Sequence, residues 1–241
     1  MRSTHGGELL ITRMQLKKDV LSILQKDSLD EIFEKIAGYD PQQLLNPLFS
    51  ALCHREEKVR WSAVLCFGCI VPMLAERDME SARIVMRRFL WSLNDESGGI
   101  GWGAPESMAE VMCHSVALRR EYIHMLISYM REDGEELFQD GNYLELPMLQ
   151  RGLLWGIGRL CQHHKEEMRS LQIEEDVAAY LTSGDHHVKG YALWCLYLLG
   201  CASCREKVEP FVGDDRQVVL FIDHRIESCT LNQLASRVLA V

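Results

Sequence analysis

Glu106, Glu110 and His114 follow one another at four-residue spacing, so two carboxylates and an imidazole fall on adjacent turns of one helix face. Such a set can ligate a metal or serve as acid and base. Immediately upstream runs Trp91-Ser-Leu-Asn-Asp-Glu-Ser-Gly-Gly-Ile-Gly-Trp-Gly-Ala-Pro-Glu106, in which Asn94, Asp95 and Glu96 add oxygen ligands and Trp91 and Trp102 add large amphipathic surfaces. The glycines allow backbone shapes closed to other residues. Tryptophan beside acidic groups also describes a recognition surface. The stretch therefore supports two chemistries. One is partner binding through Trp91, Asn94, Asp95, Glu96, Trp102 and Glu106; the other is catalysis on a metal or small molecule through Asp95, Glu96, Glu106, Glu110 and His114.

Spacing narrows these options. Gly99-Ile-Gly101-Trp-Gly103 follows no strand, misplaces the third glycine of a dinucleotide loop, and lacks the Lys-Ser or Lys-Thr of a P-loop. The Asp-x-Asp-x-Asp-Gly rhythm of a calcium loop is missing, and Ser97 before Gly98 is no nucleophile elbow. The pairs His163-His164 and His186-His187 are adjacent in sequence, so their rings diverge on a helix and suit the turns between helices. Cys66-x-x-Cys69 and Cys201-x-x-Cys204 lie too far apart for a zinc ribbon. The odd count of nine cysteines reads as thiols rather than a secreted disulfide framework, with Cys195, Cys201 and Cys204 the local group open to redox or metal work. No cofactor is expected, and if a metal were bound its ligands would be Glu106, Glu110 and His114.

The elements that must carry these residues are written as recurring slots: an apolar position, then small or apolar residues four, seven and eleven positions on. Val59, Ala63, Cys66 and Ile70 fill one copy, and Val188, Ala192, Cys195 and Leu199 another. Leu149, Leu153, Gly156 and Leu160 share the register, with Pro105, Ala109, Met112 and Val116 as a looser copy. Glu106 then occupies the position of Arg60, Gln150 and Lys189, which gives it a charge ladder between repeats as an alternative to ligation. The first slots lie 46, 44 and 39 residues apart, close to the period of HEAT and armadillo arrays. Each copy follows a second helical pattern across a short polar turn, so the expected fold is all-α: a right-handed solenoid of stacked helix hairpins.

Val59-Arg60-x-x-Ala63 and Val188-Lys189-x-x-Ala192 resemble the second-helix signature of HEAT-like repeats of the phycobilisome-lyase type, over roughly residues 45–212. With the 91–106 stretch, the chain is also similar to an uncharacterised bacterial HEAT-like family. The resemblance implies a scaffold more readily than an enzyme. Some HEAT-like metalloenzymes hold iron through repeated His-Glu dipeptides, and this chain has none.

At the ends, Ser28 and Glu31 form a capping box opening Leu29–Ala37, and Asp40-Pro41 or Asn46-Pro47 can start the next helix. Residues 217–230 are rich in β-branched and aromatic side chains and are split by Asp223-His224, which predicts a β-hairpin; Thr230 and Gln233 then cap a final helix. The expected organisation is a mobile extension over 1–13, the solenoid over 14–216, and a hairpin-plus-helix cap over 217–241. With 47% apolar and 25% charged residues, the composition is that of a soluble globular chain. The longest apolar run, 64–75, is short for a membrane span and contains Pro72, and the first residues lack a signal-peptide core, so the expected compartment is the cytoplasm. A formal charge of −9 argues against a nucleic-acid partner despite Arg83, Arg87, Arg88, Arg119 and Arg120. The leading expectation is a non-enzymatic protein-interaction scaffold that binds a protein partner through a concave groove and the 91–106 loop. The sequence carries no signal for or against self-association.

Overall fold

The computed structural model describes residues 12–94, 101–132 and 142–241. It divides into two compact units, Met1–Cys66 and Phe67–Val241. The first unit contains α1 (Arg13–Leu24), α2 (Leu29–Ala37), α3 (Pro41–Ala51) and the start of α4 (Glu57–Arg77), which runs on into the second. Each start has a local cause. Thr12 Oγ1 accepts the Gln15 N–H at 3.2 Å, Ser28 Oγ accepts the Glu31 N–H at 3.3 Å, and Pro41 sits in the first turn of α3, where its missing N–H costs nothing. Of the two starts offered for α3, Asp40-Pro41 is the one used; Pro47 lies inside the helix. The 1–13 extension falls largely outside the described residues. α1 packs on α3, and Val20, Leu24, Ile32, Ile36, Leu44 and Leu48 are all buried.

In the second unit follow α5 (Met79–Leu93), α6 (Ala104–His114), α7 (Val116–Ser128), α8 (Pro147–His163), α9 (Lys165–Ser170), α10 (Glu174–Ala179) with a 3-10 turn over Tyr180–Thr182, and α11 (His186–Leu199). The chain closes with α12 (Arg205–Val208), a 3-10 turn over Glu209–Phe211, strands β1 (Gln217–Ile222) and β2 (Arg225–Thr230), and α13 (Leu231–Leu239). Within this unit the second helix of each pair packs on the next: α6 on α8 and α8 on α11. The first helices are tied by ion pairs, the exposed Arg83 with Glu121 (Nη2–Oε1 2.6 Å) between α5 and α7, and the buried Arg119 with Glu167 (Nε–Oε2 2.9 Å) between α7 and α9. The fold is an all-α solenoid of stacked helix hairpins with a small two-stranded sheet near its C-terminus.

The slots are the core. Val59, Ala63, Cys66, Ala109, Met112, Leu153, Leu160, Val188, Ala192 and Cys195 are each fully enclosed. Val116 corrects the expected pattern: α6 ends at His114, and Ser115 takes extended backbone and caps α7, its hydroxyl accepting the Leu118 N–H. Val116 therefore opens a new helix and is 53% exposed instead of filling a fourth slot. α4 also departs from the expectation that no run approaches a span, since by length and composition it could cross a membrane. Its most apolar window is 61% buried inside the protein, and Phe67 packs edge-to-face on Phe89 with ring centroids 4.9 Å apart, the pattern of a core helix.

β1 and β2 pair antiparallel from Gln217↔Thr230 to Ile222↔Arg225, which leaves Asp223 and His224 as a two-residue turn. Val218 and Leu220 face inward, and β1 lies on α11, where Gly190 leaves room for the Val218 side chain. Trp155 Nε1 donates to the Phe221 carbonyl at 2.6 Å, and the Tyr191 hydroxyl accepts the Phe221 N–H at 3.1 Å. The capping box of α13 has both halves, Gln233 N–H to Thr230 Oγ1 at 3.1 Å and Thr230 N–H to Gln233 Oε1 at 2.9 Å. Cys201 and Cys204 are joined by a disulfide, which corrects the reading of all cysteines as thiols. α11 ends at Gly200, whose left-handed backbone (φ 71°) stops the helix, and the two cysteines that follow have Cα atoms 5.8 Å apart.

Candidate functional site

The residues expected to act lie along α5, α6 and the stretch between them. Trp91, in the last turn of α5, is 78% exposed. Asn94 ends that helix: its N–H reaches the Leu90 and Trp91 carbonyls, and its Oδ1 accepts the Tyr129 hydroxyl proton at 3.1 Å. Asp95 and Glu96 fall outside the described residues. Trp102 precedes Gly103, which enters α6 in left-handed geometry (φ 74°), and the Trp102 indole N–H is enclosed with no hydrogen-bond partner among the described residues. Glu106, in the first turn of α6, lies against the backbone of α8 at Gly152, where any side chain would collide with its carboxylate. The expected ladder is not what Gln150 and Lys189 form: Gln150 donates to the Leu144 carbonyl at 2.9 Å, and Lys189 Nζ lies 5.6 Å from the centre of the Phe211 ring.

One turn further along α6, Glu110 is the centre of a buried polar cluster. Arg159 of α8 grips it with both arms, Nε to Oε2 at 3.0 Å and Nη2 to Oε1 at 3.3 Å, and His114 Nε2 lies 3.2 Å from Oε1. The Glu110 and Arg159 side chains are only 3% and 11% exposed. Burial alone would raise the Glu110 pKa, but hydrogen bonds from His114 and Arg159 and the guanidinium charge outweigh it and hold the carboxyl below its ordinary range. Gly68 of α4 makes the space, since a side chain there would meet the Glu110 Cγ at 2.5 Å.

The cluster extends to the hairpin. Arg159 Nη1 donates to Gln162 Oε1 at 3.3 Å, and Gln162 Nε2 donates to Asp223 Oδ1 at 3.2 Å. Asp223 and His224 both hold left-handed backbone, φ 48° and 62°, as the two-residue turn requires. His163 stacks edge-on against His114, ring centroids 5.7 Å apart. Partial desolvation, then the Arg159 charge, lowers the pKa of both His163 and His224, so both rings are neutral at neutral pH. On the far side His164 Nε2 is 3.0 Å from both Arg119 Nη1 and the Cys113 carbonyl.

These groups are committed to one another. Glu110 is ionised, and the guanidinium and imidazole already occupy its oxygens. Nearby thiols are far from reactive: burial raises Cys69 and Cys113, and pushes Cys161 up to about 12. Of the proposed ligand trio, Glu110 and His114 meet, while Glu106 points to Gly152. Sequence reasoning missed Arg159, which lies 49 residues from Glu110. Its signal is in the slot alignment: the position holding Glu110 is Val64, Leu154 and Leu193 in the other copies, and a lone carboxylate on a buried register needs a cation.

No family model matches the chain, and no curated protein matches it. Among solved structures, an engineered protein determined by crystallography superposes with a TM-score of 0.50 at 12% identity, covering 93% of this chain and 95% of that one. The chain has a repeat-solenoid fold. Computationally designed armadillo repeat proteins for modular peptide recognition align at TM-score 0.47 and 12% identity over 92% of this chain and 98% of that one. A designed armadillo repeat protein in complex with the peptide (KR)4 aligns at 0.48 and 14% identity, over 92% and 97%.

Proposed function

We propose that the chain is a non-enzymatic scaffold that holds a segment of a partner protein, with Trp91 as the anchor. The observation that carries this reading is the placement of Trp91: a tryptophan 78% exposed on a regular helix rather than in a core. Ile84, 55% exposed, stands two turns earlier on the same face of α5, and Met125, 42% exposed, lies on α7, which Arg83 and Glu121 tie to α5. A rigid helix pair bearing an aromatic and two aliphatic side chains suits an apolar anchor residue of an incoming segment. Asn94 and Glu106, engaged with Tyr129 and the α8 backbone, would set the ends of the intervening stretch, and Trp102, Asp95 and Glu96 would add contacts. Separately from this first-helix surface, the solvent side of the second helices, with His114 on α6 and Tyr197 on α11, would line the groove of the solenoid. The repeats themselves are assigned to the phycobilisome-lyase type on Val59-Arg60-x-x-Ala63 and Val188-Lys189-x-x-Ala192, whose valines and alanines are fully buried.

A photo-reactive phenylalanine analogue installed in cells at position 91 or 84 tests the anchor. Each should give one shared cross-linked protein species that excess unmodified chain competes away and that Trp91→Ala abolishes when the probe is at 84. Cross-linking at position 91 no greater than at the exposed position 207 would end the proposal.

A further inference from the structure

We propose that the first unit carries a second, independent binding site for a small organic anion, a compact phosphate or carboxylate on a short apolar body. A cavity of about 300 Å³ opens where α1 meets α3 and the turn that follows α3, at the lower end of the size of small-molecule sites. Helical spacing explains its walls. Lys17 and Leu21 are one turn apart on α1, and Pro47, Ser50 and Ala51 share a face of α3, so an apolar floor of Leu21 and Pro47 is bordered by the Lys17 ammonium and the Ser50 hydroxyl. Arg55 and His54 close the remaining side.

Two features distinguish this cavity from an ordinary basic surface. The first is charge without partners. Lys58 pairs with Asp27, and Lys26 and Lys35 pair with Glu31, whereas the two cations that line the cavity, Lys17 and Arg55, have no ion-pair partner among the described residues. In a chain of net charge −9, two unmatched cations converging with a histidine on one cavity form a local positive field. The second is a turn held in place before any ligand arrives. Arg60 Nη1 donates to the carbonyls of His54 at 2.9 Å and Arg55 at 3.1 Å, and the His54 N–H reaches the Ala51 carbonyl at 3.0 Å. The Glu56 N–H donates to His54 Nδ1 at 3.1 Å, which fixes the ring in the tautomer with its hydrogen on Nε2 and leaves that N–H to donate. Arg60 thus uses its charge on the backbone of the turn, and the Arg55 guanidinium remains available for bidentate contact with an anion.

Cys53 lines the cavity and is an exposed free thiol, so it reports occupancy. The full chain is labelled with a maleimide, with and without hexyl phosphate or hexanoate, and the modification rate of Cys53 is followed by peptide mass spectrometry. Hexyl phosphate or hexanoate should slow Cys53 labelling in a saturable manner and leave Cys229 unchanged, while hexanol should give no protection. The arm that protects at lower concentration identifies the anion class. Lys17→Gln with Arg55→Gln should weaken protection about tenfold or more, because two charge-assisted contacts are lost, and Lys18→Gln, outside the cavity, should leave it intact. Absence of protection by both anions, equal protection by hexanol, or protection that survives the double substitution would overturn the site. None of these results depends on Trp91.

Discussion

Two junctions in the second-helix layer fill the same register in opposite ways. Between α8 and α11, Gly158 leaves a hollow that receives the Trp194 ring, and the contact is buried and apolar. Between α4 and α6, Gly68 holds the equivalent place and receives Glu110 and His114, and the gap from α6 to α8 is then closed by Arg159. Glycine at the same position of two helices therefore accommodates an indole in one repeat and a carboxylate in another. The apolar filling contributes through area removed from water. The ionic filling must first offset the desolvation of two charges, which it does through paired hydrogen bonds and a shared partner in His114. The difference teaches that the solenoid is specified by its small residues, and that the chemistry placed in the hollows is free to vary between repeats.

Breaking the polar junction should have the largest effect. Arg159→Met leaves Glu110 buried without its main cation and should cost about 3–5 kcal/mol in urea unfolding. Gly158→Ala attacks the apolar junction, where the added methyl meets the Trp194 ring; overpacking of this kind should cost about 1–3 kcal/mol, partly offset by better helix propensity. A pH series separates the two further. His163 and His224 have folded pKa values below the unfolded value of about 6.5, so below it the unfolded chain takes up protons first. Stability should be full above that pH, fall as pH drops through the window down to the folded values, and fall again when Glu110 becomes protonated in strong acid. Replacing His163 with Gln and His224 with Asn should flatten the first phase, asparagine being tolerated at left-handed backbone. Smallest of all, Arg83→Ala removes an exposed ion pair between first helices and should leave the unfolding midpoint unchanged within error.

What could be read before folding was whatever depends on local spacing. The Ser28 cap on the Glu31 N–H, the capping box at Thr230, the two-residue turn at Asp223-His224 and the buried slots from Val59 to Leu199 each follow from residues within a turn or two of one another. What could not be read depends on partners brought together by stacking. Glu110 needs Arg159, Gly158 needs Trp194, and Gln162 needs Asp223, and in each case the complementary residue lies in a different element. Val116 was misplaced because an apolar residue at the right interval looks like a slot even when Ser115 has ended one helix and capped another. The 91–106 stretch was recognised as an interruption, but its described ends serve structure as well: Asn94 holds Tyr129, and Glu106 rests on Gly152. Trp91 points outward without a core role, which is why the proposed function rests on it.

The central claim is that the Glu110–Arg159 pair is an internal substitute for apolar packing rather than reactive machinery, and a double-mutant cycle tests it most directly. Leucine already occupies the equivalent position in α8 and α11, as Leu154 and Leu193, both fully buried. Urea unfolding of Glu110→Leu, Arg159→Met and the double variant should show both single variants strongly destabilised and the double variant recovering most of the loss, with a coupling of about 2 kcal/mol or more. Single effects below about 0.5 kcal/mol, or a double variant whose loss equals the sum of the two, would contradict the account.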